Sequence, residues 1–118
     1  MRQHNVARGK QGENLAVKFL QEKGYRILER NFRTRFGEVD IVAKDGQALV
    51  FVEVKTKSSD SFGEPWEMVD ERKLEQVKKM AQVYLQSKNY NQQSMRLRID
   101  VVGVWLDSGK LKHWQAVY

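Results

Sequence analysis

The sequence contains no cysteine, which excludes disulfide bonds, thiolate catalysis and cysteine-rich zinc sites. It has one proline and 41% hydrophobic residues, so its composition is not that of a low-complexity chain. No apolar run approaches the roughly 20 residues that a helix needs to cross a bilayer, and the polar N-terminus lacks a signal peptide's hydrophobic segment. These absences predict a cytoplasmic protein with no membrane partner. Its 118 residues predict one domain with one modest core.

The positive charge is unevenly distributed along the chain. The net charge is +6, and residues 1–35 hold nine basic and three acidic side chains, a surplus of six. The rest of the chain holds twelve of each. A basic N-terminal third favours a polyanionic partner such as nucleic acid, whose phosphates it would bind by ion pairing and counterion release. The alternative is that the charge only increases solubility.

The segment Gly37–Lys57 has the pattern of a β-hairpin. Two runs rich in Val, Ile and Phe flank Asp45-Gly46, a pair typical of tight primed turns. With these two residues in the turn, Asp40 would face Phe51, and Glu38 would face Glu53. Alternation then places four charged side chains on one face of the hairpin, namely Glu38, Asp40, Glu53 and Lys55. The other face would be wholly apolar, with Val39, Ile41, Ala43, Ala48, Val50, Val52 and Val54.

This clustering of acids predicts a metal site. Carboxylates that face each other weaken a sheet unless solvent or a cation separates them. Asp40 and Glu53 would be diagonal neighbours, roughly 7–8 Å apart at Cβ, and Mg²⁺ accepts one or two carboxylates together with water and substrate phosphate. Lys55 would position the attacking water or offset developing charge, as a metal-dependent phosphodiesterase requires. The alternative is a solvated charged surface without chemistry.

The remaining elements follow from periodicity and turn signals. Residues 1–8 are predicted to form a flexible tail, and residues 9–118 a single domain. Residues 56–69 and 89–94 are predicted loops, and Phe62 and Trp66 in the first would stack on bases or anchor the loop. The predicted elements are a helix over Gly9–Lys23, a strand over Tyr25–Arg33, the hairpin, a helix capped by Asp70 and ending near Ser87, and strands over Leu97–Leu106 and Leu111–Val117.

Several charged residues outside the hairpin are further candidates. Glu13 lies at the edge of the first helix's apolar stripe, either as a first-turn acid or as a third carboxylate of the site. Arg33 and Arg35 precede the acidic face, where they would form a phosphate clamp or an ordinary polar loop. Lys73, one turn into the second helix, is a candidate phosphate ligand.

Asp100 interrupts an apolar run and therefore needs a partner. It would bind a backbone amide or Arg98, or else face the acidic site. His113 has no partner at metal-ligand spacing, so we do not predict metal binding there.

Five motifs follow one another along the chain. They are Gly12-Glu13-x-x-Ala16, Gly24-Tyr25-x-Ile27-Leu28-x-Arg30-Asn31-Phe32, Gly37-Glu38-Val39-Asp40, Phe51-Val52-Glu53-Val54-Lys55-Thr56 and Arg98-Ile99-Asp100-Val101-Val102. In this order they resemble the motifs of the bacterial YraN-like uncharacterised protein family. The likeness covers nearly the whole chain after residue 8. That family is classed as a predicted endonuclease similar to the archaeal Holliday junction resolvases.

The resemblance implies a restriction-endonuclease-like α/β fold of three layers, in which helices flank a mixed central β-sheet. It also implies that Glu13, Asp40, Glu53 and Lys55 form the nuclease core. Mg²⁺, for which Mn²⁺ could substitute, would be held by Asp40, Glu53 and the backbone carbonyl of Val54. The expected partner is DNA, including branched or damaged DNA, and a two-stranded junction would favour a homodimer.

Two other function classes remain open at the level of sequence. One is a non-catalytic nucleic-acid-binding module with a residual nuclease site, whose affinity would not depend on Asp40. The other is an interaction protein with a solvated acidic face, which would bind DNA weakly and lose it at modest salt.

Overall fold

The structure is a computed structural model that describes residues 2–57, 70–88 and 96–118, with side chains from residue 7 onward in the first helix. The predictions for Phe62, Trp66 and the connector at 89–94 lie outside these residues. The elements within them are α1 (Arg2–Glu22), β1 (Arg26–Thr34), β2 (Gly37–Asp45), β3 (Ala48–Lys57), α2 (Glu71–Ser87), β4 (Arg96–Trp105) and β5 (Lys110–Trp114).

The strands within the described ranges form one mixed sheet in the order β1-β2-β3-β4-β5. The first three strands are antiparallel, β3 and β4 are parallel, and β5 returns antiparallel. The parallel pair requires a crossover, and α2 lies in the chain between these two strands. The predicted α/β fold with a mixed central sheet is confirmed.

Each face of the sheet packs against one helix, because both faces are apolar. Ala16 and Leu20 of α1 pack on one face, and Val77, Met80 and Tyr84 of α2 pack on the other. The sheet residues of the α1 core are Ile41, Ala43, Ala48, Val50, Val52, Val102 and Val104. Those of the α2 core are Phe32, Val39, Val42, Leu49, Phe51 and Ile99. The helix, sheet and helix layers are those of the restriction-endonuclease-like fold.

The two helices differ in how well the sequence defines their ends. Asp70 caps α2, and its side chain accepts a hydrogen bond from the Lys73 amide, as predicted. Gly24, with a φ of 94°, follows the end of α1, also as predicted. The predicted start of α1 at Gly9 was wrong, since the helix begins at Arg2. Residues 2–8 contain no proline, so one glycine at position 9 weakens the helix without ending it.

The hairpin forms with a different turn from the predicted one. Asp45 pairs with Ala48, so the turn residues are Gly46 and Gln47 and not Asp45 and Gly46. Gly46 takes a φ of 59° at the first turn position, where a type II′ turn requires glycine. Val42 therefore pairs with Phe51 instead of Leu49. A shift of two residues leaves each side chain on its own face.

This register also changes which residues face each other near the acids. The last recorded β2–β3 pair is Ile41 with Val52, and the next position along this register sets Asp40 opposite Glu53. The prediction that Val39 shares a face with Ile41 was wrong, because Val39 packs in the α2 core and Ile41 in the α1 core. At Val39, β2 pairs with β1 but no longer with β3, so β3 does not fix the direction of the Val39 side chain.

The end of the chain departs from the predicted last strand. The strand β5 ends at Trp114, whereas the sequence predicted a strand to Val117. Ala116 has a φ of 54°, which interrupts the extended backbone, and its N–H donates to Asp100 instead of to a strand. Neither described helix is both long enough and apolar enough to cross a membrane.

Candidate active site

Asp40 of β2 and Glu53 of β3 approach each other where the two strands separate. Asp40 Oδ2 accepts a hydrogen bond of 2.7 Å from the backbone N–H of Val54, which ties the acid of one strand to the backbone of the next. Glu53 is only 4% exposed. The sequence therefore predicted correctly that these two acids converge, although the strand register differs by two residues from the predicted one.

Burial and mutual repulsion alter the ionisation of both acids. Burial, together with the nearby charge of Asp40, raises the pKa of Glu53 to about 7, although Lys73 and Lys55 oppose the shift. Burial also raises the pKa of Asp40, against the lowering effect of the Val54 amide. Glu13 and Glu38 raise the pKa of Asp40 further. The site is therefore short of positive charge.

One carboxylate oxygen at this site lacks a hydrogen-bond donor. Glu53 Oε1 is buried and accepts no hydrogen bond from any residue in the described ranges. Lys73 Nζ forms an ion pair with this oxygen at 3.5 Å, which is too long for a strong hydrogen bond. The same ammonium donates to the backbone oxygen of Glu38 at 3.4 Å. An unsatisfied buried carboxylate oxygen is suited to a cation ligand.

Glu13 brings a third carboxylate to the site from α1. Its Oε1 accepts from Arg30 Nε at 2.8 Å and from Asn31 Nδ2 at 3.1 Å. Arg30 also forms an ion pair with Oε1, so the recorded contacts of the carboxylate all use one oxygen. Asn31 adopts a φ of 54°, a left-handed conformation that asparagine tolerates better than most residues. The residue with this left-handed backbone is thus the one whose side-chain amide donates to Glu13.

The position of Glu13 depends on close contact between α1 and β3. A Cβ atom on Gly12 would lie 2.1 Å from Thr56 Oγ1, so only glycine fits there without movement. Because Gly12 has no side chain, α1 lies close to β3 at this position, and Glu13 is the next residue of the helix. The first alternative for Glu13, a first-turn acid on the helix dipole, is excluded because α1 begins at Arg2. Its place near Asp40 fits the second alternative, a third carboxylate.

Three of the acids, Glu13, Glu38 and Asp40, line a cleft of about 470 Å³. The lining residues are Gly9, Lys10, Glu13, Asn31, Glu38, Asp40, Val54 and Thr56. Within residues 2–57, 70–88 and 96–118, no three Asp, Glu, His or Cys side chains are grouped to enclose a metal by themselves. Two carboxylates with water and a substrate phosphate in the remaining positions are typical of Mg²⁺. Asp40 and Glu53 could hold such an ion, and Val54 lies beside them.

The predicted cations have different surroundings. Lys55 is half-buried on β3, within electrostatic range of Glu53. Lys73 contacts Glu53 directly, so it lies closer to the acids than the sequence indicated. Arg33 is tied to Glu38 by an ion pair of 2.6 Å, and the Arg35 guanidinium lies 4.9 Å from the centre of the Phe36 ring. Their roles as nucleic-acid ligands stay predictions.

Asp100 lies in a separate polar cluster on β4. It is fully buried and accepts hydrogen bonds from Arg98, the Ala116 amide and the Tyr25 hydroxyl. Its contacts with Arg98 and a backbone amide confirm the first of the two sequence alternatives. His113 Nε2 also contacts Asp100 at 2.8 Å.

Sequence reasoning missed the residues that hold Glu13. Arg30 and Asn31 were used only as part of a family motif, although an Arg-Asn pair inside a predicted strand is itself unusual. Lys10, which lines the cleft, was also missed, because it precedes the apolar stripe of α1. The signal that could have identified Lys10 is its spacing, three residues before Glu13 on the same helix.

Comparison with known sequences places this chain among a set of bacterial proteins. The sequence model of the family described as "Uncharacterised protein family UPF0102" matches residues 12–104. A UPF0102 protein of Moorella thermoacetica is 50% identical over 100 residues, which cover 85% of this chain and 82% of that protein. One of Dictyoglomus thermophilum is 40% identical over 113 residues, covering 95% of this chain and 94% of that protein. These matches confirm the resemblance to the YraN-like proteins.

Proposed function

This chain belongs to the uncharacterised protein family UPF0102, and we propose that it is a Mg²⁺-dependent endonuclease that hydrolyses phosphodiester bonds in DNA. The family description names no reaction, so the proposal depends on the site. The observation that carries it is the pair Asp40 and Glu53, two neighbouring buried acids, one of which has a buried oxygen with no hydrogen-bond donor among the described residues. Such a pair is stable as dianion only if a cation lies between the carboxylates.

The oxygen ligands available here suit an open Mg²⁺ site, in which water and substrate complete the coordination, better than a site closed by protein ligands alone. Two carboxylates and the Val54 carbonyl would supply oxygen ligands, and the cleft leaves room for water and a phosphate. When bound, the ion would polarise the phosphodiester and promote ionisation of the attacking water.

The other charged residues would have separate roles. Lys55, whose ammonium has no recorded hydrogen bond or ion pair among the described residues, is free to orient the attacking water or offset charge on the phosphate. Glu13 keeps Oε2 available to the cleft because Arg30 and Asn31 contact only Oε1. That oxygen would accept a hydrogen bond from water and fix its orientation. Branched or damaged DNA remains the preferred substrate within this proposal.

Cleavage assays with matched variants test the proposal. Supercoiled plasmid, single-stranded DNA, a four-way junction and an RNA of the same sequence are incubated with Mg²⁺, Mn²⁺ or EDTA. We expect wild type to cleave DNA with either ion, while Glu53→Gln and Lys55→Ala lose at least about 100-fold, a typical loss for one transition-state contact. Glu22→Gln, an exposed acid at the end of α1, is the control and should retain full activity.

Two results would contradict the endonuclease proposal. Cleavage retained by both Glu53→Gln and Lys55→Ala would assign the activity to a contaminant or to another site. The absence of cleavage by wild type with every substrate and ion would leave the binding alternative.

One contact favours a second candidate, a nucleic-acid-binding module without catalysis. Lys73 Nζ lies 3.5 Å from Glu53 Oε1 and so supplies part of the charge that a metal would bring. In a nuclease site that has lost catalysis, the Lys73 ammonium would stabilise the two carboxylates in place of a metal ion. DNA affinity would then be the same for wild type and Asp40→Asn, with or without Mg²⁺, whereas the endonuclease requires Mg²⁺ to strengthen binding to wild type alone.

A further inference from the structure

A second cleft lies beside the N-terminal half of α2, outside the acidic site. Its volume is about 630 Å³, larger than that of the cleft beside Asp40. The lining residues are Phe36, Asp70, Arg72, Lys73, Glu75, Gln76 and Lys79. None of the acids of the proposed catalytic pair lines it, so its size alone indicates no chemistry.

The cleft carries more positive than negative charge. Three cations, Arg72, Lys73 and Lys79, line it together with two acids, of which Glu75 forms an ion pair of 3.1 Å with Lys78. Asp70 keeps its negative charge, because the Lys73 amide that donates to it is neutral. Arg72 and Lys79 are exposed, and neither has a recorded anionic partner among the described residues. The available charge of the cleft is therefore positive, which favours an anionic ligand.

An aromatic ring supports the cations on one wall. Phe36 is half-buried against the α2 core. The Arg35 guanidinium carbon lies 4.9 Å and Lys79 Nζ 5.7 Å from the centre of its ring. Cation–π contacts of this kind hold a long side chain near one position while its charge stays exposed. The ring thus gathers two cations beside the cleft.

The second cleft adjoins the acidic site through two contacts. Lys73 lines the cleft, yet its Nζ also reaches Glu53 Oε1 and the backbone oxygen of Glu38. Gln76, also on the wall, packs so closely on Gly37 that a Cβ atom there would lie 2.5 Å from its Nε2. The turn before β2 is thus held against α2. A strand of nucleic acid over Asp40 can therefore continue across Lys73 into this cleft.

We propose that this second cleft binds the sugar–phosphate backbone of the DNA strand on one side of the scissile phosphate, with Arg72 and Lys79 contacting its phosphates. This inference rests on the proposed function, because it takes the reacting phosphate to lie at Asp40 and Glu53. The cleft that Asp40 lines, which also contains Lys10, would hold the scissile phosphate itself. The role is sequence-independent, because phosphate contacts position a strand without reading its bases.

Neighbouring lysines of α2 allow a matched test. Lys79→Ala and Lys78→Ala remove the same charge from adjacent positions, but Lys78 is tied to Glu75 and lies 4.1 Å from the Tyr118 ring centre, outside the cleft. Affinity for labelled single-stranded and duplex DNA is measured by fluorescence anisotropy over a range of salt concentrations, in EDTA so that no cleavage occurs. Each lost phosphate contact lowers the slope of log affinity against log salt by about 0.9 for duplex and 0.7 for single strands.

We expect Lys79→Ala and Arg72→Ala each to lower this slope by that amount, and Lys79→Arg to restore it. Lys78→Ala releases the Glu75 carboxylate and should weaken binding at low salt, but it removes no phosphate contact and should leave the slope unchanged. Equal slopes for Lys79→Ala and Lys78→Ala would overturn the inference and leave the endonuclease proposal intact. Different slopes without cleavage in the separate Mg²⁺ assay would overturn only the endonuclease proposal. No measurable DNA binding by wild type would overturn both.

Discussion

At the scale of a single side chain, Glu53 destabilises the fold but is suited to binding a cation. Burying a carboxylate beside another acid costs folding free energy, and Glu53 Oε1 also has no hydrogen-bond donor among the described residues. The core residues that precede it on β3 would pack equally well before a neutral side chain. The strain is understandable if the acid pair exists to bind a cation, because active sites retain such groups at the expense of stability.

Asp100 is the opposite case, a buried acid whose partners are all present. Burial raises its pKa, but hydrogen bonds from His113, Arg98 and the Ala116 amide outweigh this and lower the pKa to about 2. A neutral His113 with its proton on Nε2 would donate to Asp100 while Nδ1 accepts from Lys23 Nζ, at 2.7 Å. The cluster is therefore a structural feature of the β4 and β5 edge.

Asp100→Asn should destabilise the protein in a pH-dependent way. A carboxylate whose folded pKa is lowered stabilises the fold above about pH 4, and that contribution is lost as the pH falls toward 2. We expect the variant to lose about 3 kcal/mol of unfolding free energy near pH 7, since Arg98 and His113 lose a buried anion. Urea unfolding at several pH values measures this difference, which should narrow between about pH 4 and pH 2.

The control for Asp100 is an acid in the exposed turn between β4 and β5. Asp107→Asn should change the unfolding free energy by less than about 0.5 kcal/mol at every pH. A pH-independent loss in Asp100→Asn would show that packing, and not the charge, stabilises this cluster.

Local sequence signals predicted some residues of the site and missed others. Asp40, Glu53 and Lys55 follow from alternation along one hairpin, which depends only on neighbouring positions. Asn31 could not be predicted, because its left-handed backbone and its contact with Glu13 require α1 and β1 to be packed together. Long-range contacts of this kind leave no periodic pattern.

At the scale of elements, the distance between α1 and β3 is set at Gly12. Gly12→Ala places a Cβ atom 2.1 Å from Thr56 Oγ1, so the helix or the threonine must move. Overpacking of this kind costs about 1–3 kcal/mol, partly offset by about 1 kcal/mol from alanine's better helix propensity. We expect a net loss of about 1 kcal/mol in urea unfolding, and lower cleavage activity because Glu13 is displaced.

Gly9 offers the matched control within the same helix. No atom of the part of the chain that the structure describes lies within 4 Å of a Cβ built on it, so Gly9→Ala should stabilise the protein by about 0.5–1 kcal/mol through helix propensity alone. If both alanine variants were equally stabilised, α1 would have room at Gly12, and the proposed placement of Glu13 would be wrong.

Elements with strong local signals were predicted well, and their long-range arrangement was not. The cap at Asp70 and the apolar stripe of α2 define that helix from sequence. The turn at Gly46 and Gln47 was missed because Asp45-Gly46 is the commoner turn pair, and pairing along the whole hairpin overrides that preference. The packing of Val39 on the opposite face from Ile41 also depends on where β3 stops pairing with β2.

For the whole molecule, the excess charge and the acid site belong to different parts of the architecture. Four of the six surplus positive charges of residues 1–35 lie on α1 and β1, and the other two, Lys23 and Arg35, directly follow these elements, whereas the acid pair lies on β2 and β3. Because of this separation, the basic N-terminal third can attract a polyanion and position it over the acid pair. The three-layer fold was implied by the family resemblance and is confirmed, and the homodimer stays a prediction.

The central claim is that Asp40 and Glu53 form a cation site. Thermal unfolding of wild type and Glu53→Gln, without nucleic acid and with or without Mg²⁺ at matched ionic strength, tests it most directly. Without metal, the variant should be more stable by about 1–3 kcal/mol, because the repulsion between two buried acids is removed, and this gain outweighs the loss of the long ion pair of 3.5 Å with Lys73. For a domain of this size, that difference raises the Tm by several degrees.

Mg²⁺ should then raise the Tm of wild type and of the Glu22→Gln control, because an ion that binds only the folded protein stabilises it by mass action. The Tm of Glu53→Gln should not respond. A variant that unfolds at a lower temperature than wild type without metal, or an equal Mg²⁺ shift in both proteins, would contradict the claim.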